Sequence, residues 1–173
     1  MLSLVLGGAR SGKSALAERL AIQSGHEVTY IATAEALDDE MTERIAHHRS
    51  RRPAGWTVVE EPLALADTLI RHARDDRFVL VDCLTLWLSN LLGTEGAARS
   101  GIERDALLRA TAALPGEVCF VSNEVGLGVT PLGELTRRFV DEAGRLHQAL
   151  AQRCDRVVFV AAGLPLTLKG TLP

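Results

Sequence analysis

The sequence is poor in lysine, cysteine and aromatic side chains. Its only lysines are Lys13 and Lys169, and its 3 cysteines form no C-x-x-C pair, which excludes a disulfide or zinc framework. Aromatic residues make up 4% of the chain, so stacking platforms for single-stranded nucleic acid are not expected. With 19 basic and 22 acidic residues there is no bulk charge to attract nucleic acid or a membrane surface. We therefore expect no nucleic-acid partner.

Long apolar runs are also missing. No stretch approaches the roughly 18 apolar residues of a membrane-spanning helix, and the run Leu2–Leu6 is too short for a signal sequence. We expect no membrane insertion and a reducing, cytoplasmic setting. A length of 173 residues suits one domain that buries a substantial core, so we predict a single domain over residues 1–173.

The segment after the first apolar run matches the phosphate-binding pattern G-x-x-x-x-G-K-[ST]. This phosphate loop comprises Gly7, Gly8, Ala9, Arg10, Ser11, Gly12, Lys13 and Ser14. A strand-like run before it and a helix-compatible stretch after it are the context that the pattern requires. Backbone N–H groups of such a loop point at phosphate oxygens, Lys13 adds a charge there, and the Ser14 hydroxyl ligates Mg²⁺. The loop predicts a site for a nucleoside triphosphate with Mg²⁺.

Short apolar runs alternate with longer periodic segments. Candidate strands are 2–6, 28–32, 57–59, 78–81, 118–122, 157–161 and 166–168, and candidate helices are 13–23, 38–51, 63–73, 84–92, 103–114 and 132–154. The alternation predicts an α/β fold of the P-loop NTPase type, with a mostly parallel central sheet flanked by helices. The last two strands are too close for a crossover helix, so they should form an antiparallel hairpin. Residues 93–101 are the best candidate for a mobile loop.

Asp82 is a second candidate for the nucleotide site. It follows the continuously apolar run Phe78–Val81, which is typical of a strand buried on both faces. The carboxyl end of that strand should lie beside the phosphate loop, where Asp82 either holds Mg²⁺ or acts as a base toward an attacking hydroxyl. The guanine-reading motif Asn-Lys-x-Asp is absent from the sequence. A preference for GTP would therefore need another way of reading the base.

The predicted helix over residues 38–51 carries two adjacent histidines. Acidic side chains crowd its start and basic ones its end, as the helix dipole favours. The apolar stripe of Met41 and Ile45 continues through His48, and His47 lies about 100° away on the polar face. Two interpretations stay open. The helix is either a solvated, charged one, or it presents a nucleophilic or acid–base histidine to bound phosphate.

Several ordered segments resemble those of one enzyme family. They are GGARSGKS (7–14), YIATA (30–34), LDDEM (37–41), RIAHH (44–48) with Arg52-Pro53, and NEVGLG (123–128). Over residues 2–170 the chain resembles the bifunctional adenosylcobinamide kinase/adenosylcobinamide-phosphate guanylyltransferase family of cobalamin biosynthesis. The resemblance implies phosphorylation of adenosylcobinamide by ATP or GTP. Transfer of GMP from GTP through a guanylylated histidine would then give adenosylcobinamide-GDP.

The resemblance also implies roles for particular residues. His47 is the guanylylated residue, Lys13 and Asp82 belong to the catalytic machinery, and Ser14 and Asp82 hold Mg²⁺. Further nucleotide contacts are implied at Ala32, Thr33, Ala34, His48, Arg49, Ser50, Arg51 and Glu60. Some members carry glutamate at the position of Asp82. The implied partners are a small corrinoid substrate and a nucleotide, and the implied assembly is a homotrimer.

Two other functions stay open from the residues alone. One is a monofunctional P-loop kinase of another small metabolite, in which His47 is structural and only the γ-phosphate is transferred. The other is a nucleotide-binding regulatory or motor module, which would show partner-stimulated hydrolysis and no stable covalent nucleotide.

Overall fold

The computed structural model describes residues 1–35, 53–94 and 96–172, which build a 7-stranded sheet with helices on both faces. The strands are β1 (Leu2–Gly7), β2 (Glu27–Ala32), β3 (Thr57–Glu60), β4 (Arg77–Asp82), β5 (Glu117–Asn123), β6 (Arg156–Ala161) and β7 (Leu164–Lys169). The helices are α1 (Lys13–Gln23), α2 (Leu65–His72), α3 (Leu84–Thr94), α4 (Gly96–Ala110) and α5 (Glu134–Arg153). Every predicted strand is present. The predicted helix over residues 38–51 lies outside the described residues.

The sheet has the strand order β3-β2-β4-β5-β1-β6-β7. All neighbouring pairs are parallel except β6 and β7, which confirms the mostly parallel sheet and the antiparallel hairpin at its end. The hairpin turns at Ala162 and Gly163, both with positive φ, as the right-handed twist of a two-residue hairpin requires. The strand β5 therefore lies between β1, which leads into the phosphate loop, and β4, which ends at Asp82.

Each face of the sheet has its own apolar core, because successive side chains of a strand point to opposite faces. One face, called here the α1 face, is covered by α1. Its core contains Val5, Leu16, Leu20, Phe78, Leu80 and Val121. The opposite face, called here the α5 face, is covered by α2 to α5, and its core contains Leu4, Val79, Trp87, Phe120, Leu146 and Leu150.

The prediction of a mobile loop over residues 93–101 is wrong. The helix α3 runs to Thr94, and α4 begins at Gly96. Long-range packing holds α4 in place despite its glycines. Leu107 is fully buried in the α5-face core, and the Arg104 Nη1 lies 2.7 Å from Glu142 Oε2 of α5. Such tertiary contacts override local helix propensity.

Among the described residues, no helix is both long and apolar enough to cross a bilayer.

Candidate nucleotide site

The carboxyl ends of the parallel strands bring most of the predicted site residues to one edge of the sheet. In the strand register, Ala32 lies opposite both Asp82 and Glu60. Gly7, where the phosphate loop begins, lies opposite Asn123 of β5. Edges of this kind are where parallel α/β sheets bind ligands. The predicted contacts His47, His48, Arg49, Ser50 and Arg51 lie outside the described residues.

The shape of the phosphate loop depends on glycine at two positions. A Cβ on Gly7 would lie 2.5 Å from both the Ser11 Oγ and the Val160 carbonyl oxygen. Gly12 has φ 97°, and a Cβ there would lie 3.1 Å from Gly163 Cα in the hairpin turn. The Gly163 N–H donates to the Ser11 carbonyl at 2.8 Å. The turn of the β6–β7 hairpin therefore packs directly against the loop.

The interior of the loop suits an anion. Lys13 is 8% exposed, and its Nζ donates to the Gly8 carbonyl at 3.1 Å. In the part of the chain that the structure describes, the buried Ser11 Oγ has no hydrogen-bond partner, and Gly12 offers α1 no side-chain cap. The first N–H groups of α1, the Lys13 ammonium group and the orphaned Ser11 hydroxyl all belong to this loop. Phosphate oxygens would satisfy all three.

Thr33 joins the end of β2 to the end of β4. It is fully buried, its hydroxyl donates to the Cys83 carbonyl at 2.7 Å, and it accepts from the Cys83 N–H at 2.9 Å. The Asn90 Nδ2 donates to the Thr33 carbonyl at 2.8 Å. These bonds fix the backbone on which Asp82 sits. A contact between Thr33 and nucleotide stays a prediction.

The same polar network continues to β5. The Asn123 Nδ2 donates to the Thr85 Oγ1 at 3.0 Å, and the Cys83 Sγ lies 3.1 Å from that oxygen. Burial, reinforced by the Asp82 charge, raises the pKa of the Cys83 thiol to about 11. Because this thiol stays protonated at neutral pH, it is neither a nucleophile nor a thiolate ligand. Sequence reasoning singled out Thr33 as a nucleotide contact but missed the network, because its partners lie far apart in the sequence.

A second polar cluster, also missed from the sequence, lies beside the phosphate loop on the α5 face. The His147 Nε2 is 2.7 Å from the Ser122 Oγ, and its Nδ1 is 3.8 Å from Glu124 Oε2. Burial lowers the pKa of His147, and the Glu124 charge opposes that shift. The Glu124 N–H donates to the Gly7 carbonyl at 3.0 Å. The one sequence signal for this cluster is that Glu124 belongs to NEVGLG (123–128), one of the segments that carry the family resemblance.

The residues present fit the magnesium ion predicted with the nucleotide. In the described ranges no three His, Cys, Asp or Glu side chains are grouped as a metal site. Mg²⁺ beside a nucleotide needs only one or two side chains, since phosphates and water complete its octahedron. Ser14 lies in the first turn of α1, and Asp82 continues the strand alternation of Phe78 and Leu80 on the α1 face. Ser14 and Asp82 as ligands remain a prediction.

Fold and loop together define a P-loop nucleotide-binding α/β protein. Two solved structures share this architecture. One is the RadB recombinase, with TM-score 0.53 and 19% identity, covering 91% of this chain and 73% of that one. The other is a protein from Pyrococcus horikoshii OT3, with TM-score 0.59 and 8% identity, covering 99% and 87%. At these identities the likeness shows the fold alone.

Sequence relatives identify the family. Residues 3–168 match the family described as cobinamide kinase / cobinamide phosphate guanyltransferase. The bifunctional adenosylcobalamin biosynthesis protein CobP of Pseudomonas aeruginosa PAO1 is 64% identical over 170 residues, 98% of each chain. The CobU proteins of Escherichia coli K12 and Salmonella typhimurium LT2 are each 39% identical over 98% of this chain and 100% of their own. The chain therefore belongs to the cobinamide kinase / cobinamide phosphate guanyltransferase family. The enzyme class and the role in cobalamin biosynthesis expected from the sequence are confirmed.

Gly12→Ala should weaken nucleotide binding more than it weakens the fold. The new methyl group strains a positive φ and presses on Gly163, so the loop must shift by tenths of an ångström where its N–H groups converge. We expect at least about a tenfold rise in the Kd for GTP, in line with the loss of one or two charge-assisted hydrogen bonds. Isothermal titration calorimetry measures this change.

Gly25→Ala is the matched control for Gly12→Ala. Gly25 also has a positive φ, 70°, but nothing lies within 4 Å of an added Cβ, and it follows the far end of α1. It should lower stability by about 1 kcal/mol and leave the Kd unchanged. Equal effects of both changes on the Kd would show that the strain at Gly12 is not transmitted to the binding site.

Proposed function

We propose that the protein phosphorylates the hydroxyl of the aminopropanol arm of adenosylcobinamide, using ATP or GTP. It then transfers GMP from GTP to the new phosphate through guanylylated His47, which yields adenosylcobinamide-GDP. Membership in a family named for both activities supports this proposal. The single observation that carries it is the phosphate loop, whose buried lysine and unpartnered hydroxyl at the start of α1 suit both reactions.

One phosphate cradle can serve both steps because both move negative charge onto the same part of the nucleotide. In the kinase step a γ-phosphoryl group leaves a nucleoside diphosphate, and in the guanylyl step the α-phosphorus releases pyrophosphate. Lys13 and the N–H groups of α1 would contact the β- and γ-phosphates and so would stabilise the leaving group in each case. Holding the triphosphate also aligns it for in-line attack.

Ser14 and Asp82 would hold Mg²⁺ in this proposal, and the ion would neutralise phosphate charge in both transition states. Glu60 and the backbone at Ala32 and Ala34 would contact the nucleotide from the neighbouring strand ends. Ala32 is paired in register with both Asp82 and Glu60, which supports a single continuous surface.

His47 would act as the nucleophile of the guanylyl step. A neutral imidazole nitrogen forms a bond to the α-phosphorus while the bond from that phosphorus to the bridging oxygen breaks, and pyrophosphate departs with the electron pair. The phosphate of the acceptor then displaces the imidazole and takes the GMP group. His48 and the residues Arg49, Ser50 and Arg51 would bind nucleotide beside it.

Lys13→Ala should abolish both reactions, since both need the charge of the triphosphate held in the same loop. We expect a loss of about 10²- to 10³-fold or more in each kcat/KM. Lys169→Ala is the control, because the Lys169 Nζ bonds the Ala151 and Gln152 carbonyls at the end of α5. Guanylyl transfer at the wild-type rate in Lys13→Ala would contradict the shared cradle.

Asp82→Asn should keep the fold and most of the affinity for nucleotide but lose most turnover, because the change preserves volume and removes a charge from the predicted Mg²⁺ site. Rates measured across a magnesium titration test this. Asp76→Asn, in the exposed turn before the other end of β4, should behave as wild type. A fully active Asp82→Asn protein at limiting Mg²⁺ would place the ion elsewhere.

His47→Ala should separate the two activities. Wild-type protein with α-labelled GTP and Mg²⁺ should gain one acid-labile, base-stable label per chain, and γ-labelled GTP should give none. His47→Ala should not be labelled yet should still phosphorylate adenosylcobinamide, since that step does not use the imidazole. Denaturing electrophoresis after labelling measures the covalent product.

His48→Ala is the control for this experiment and should still be labelled if it folds. Label retained in His47→Ala but lost in folded His48→Ala would reverse the assignment within the pair. Absence of label in the wild type, with kinase activity intact, would support the monofunctional kinase instead.

A further inference from the structure

The chain that leaves β5 occupies the space between the phosphate loop and Asp82. Asn123 is in register with Gly7 on one side, and Val121 is in register with Asp82 on the other. Glu124, the residue after Asn123, donates its N–H to the Gly7 carbonyl at 3.0 Å. The backbone of Glu124 is therefore joined to the first residue of the phosphate loop, and its carboxylate has no part in the metal site or in the guanylyl step.

Glu124 and Asp82 approach this edge from opposite faces of the sheet. Val118 and Phe120 of β5 belong to the α5-face core, and Ser122 continues that alternation. The contact of Glu124 with His147 of α5 places its side chain on the same face. Asp82 is on the α1 face, where Lys13 begins α1. Asp82 therefore lies on the same face as the other predicted metal ligand, Ser14, and Glu124 lies on the opposite face.

Each oxygen of Glu124 has a neighbour that limits its orientation, one through a hydrogen bond and the other through a longer contact. Oε1 accepts the Gly126 N–H at 2.6 Å, and Oε2 faces the His147 Nδ1 at 3.8 Å. His147 is itself held by its 2.7 Å bond with the Ser122 Oγ and is 6% exposed. Because burial keeps this imidazole neutral at pH 7, it limits the position of the carboxylate without neutralising it. Each oxygen keeps a further lone pair for a proton.

We propose that Glu124 accepts the proton of the acceptor hydroxyl in the kinase step and that His147 is its positioning residue. This inference rests on the proposed function and assigns Asp82 to the metal alone. The O–H bond of the acceptor breaks, and its proton passes to a Glu124 oxygen. The acceptor oxygen forms a bond to the γ-phosphorus, the bond from that phosphorus to the β–γ bridging oxygen breaks, and the nucleoside diphosphate leaves with that electron pair.

The guanylyl steps do not need this base. A neutral imidazole attacks through a free lone pair, and the phosphate that later displaces it is already an anion. Only the alcohol must lose a proton as it attacks. The two reactions therefore share the phosphate loop but differ in their need for Glu124, and this difference makes the inference testable within one protein.

Glu124→Gln is the decisive variant, because it keeps the shape of the side chain and its Gly126 contact while removing the base. We expect kcat for phosphorylation of adenosylcobinamide to fall about 10²- to 10⁴-fold with little change in KM. Labelling by α-labelled GTP, and GMP transfer to adenosylcobinamide phosphate supplied ready-made, should stay near wild-type rates. Glu134→Gln, an exposed carboxylate at the start of α5, is the matched control.

Rescue separates a proton acceptor from a merely structural carboxylate. Glu124→Ala should lose the kinase step and regain part of it in added formate, which supplies a small carboxylate. His147→Gln should lower the kinase kcat about tenfold, the low end expected for a misplaced catalytic group, with labelling retained. Thermal unfolding of each variant accompanies the rate measurements.

Three results overturn the inference. They are a wild-type kinase rate in Glu124→Gln, an equal fall of kinase and labelling rates in that variant, and no effect of formate on Glu124→Ala. Each leaves the proposed function standing as long as wild-type protein carries out both reactions. A wild-type protein without kinase activity would instead refute the proposed function itself.

Discussion

The absence of space for a side chain at Gly7 is the constraint on which the site depends. The Val160 carbonyl and the Ser11 hydroxyl fill the place of a Cβ, and the Gly7 carbonyl accepts the Glu124 N–H. Gly7 is thus the point at which β1, β5, β6 and the phosphate loop all meet. Any side chain there would separate the loop from its neighbours, because a close-packed interior has no free volume for added atoms.

A different kind of restraint holds the other half of the site. The backbone ladder pairs β2, β4 and β5, and beyond their ends hydrogen bonds of the Thr33, Thr85 and Asn123 side chains continue the connection. Buried polar networks that are fully satisfied are rigid, and one with a missing partner is costly. Asp82 therefore sits on a backbone whose position is fixed by side chains that carry no charge and take no chemical part in either reaction.

Features with a local cause could be predicted from the sequence. The spacing of glycine and lysine predicts the phosphate loop, and the apolar runs predict the strands. The bounds predicted for α1, Lys13–Gln23, are those observed. Only the start of α4 was missed, since the predicted helix over residues 103–114 covers its second half. The glycines at its start suggest a loop, whereas long-range contacts of Leu107 and Arg104 stabilise the helix as a whole.

The polar clusters of the site could not be predicted for a related reason. Thr33 and Cys83 are separated by 50 residues, and Ser122 and His147 by 25. Neither local sequence contains a pattern that indicates a partner so far away along the chain. His147 lies on the same helical stripe as Ala143, Leu146 and Leu150, which indicates burial but not the hydroxyl it meets. Pairing of the strands and packing of a helix on the sheet, rather than composition, create these contacts.

The hydrogen bond from Gly163 to the Ser11 carbonyl couples the stability of the β6–β7 turn to nucleotide binding. The strand β7 lies at an exposed edge of the sheet, and the turn before it is hydrogen-bonded to the phosphate loop. By linkage, a ligand that orders the loop also raises the free energy needed to open that turn. Loosening the turn must weaken ligand binding by the same free energy. Amide exchange at Gly163 would therefore report occupancy of a site to which this residue contributes no side chain.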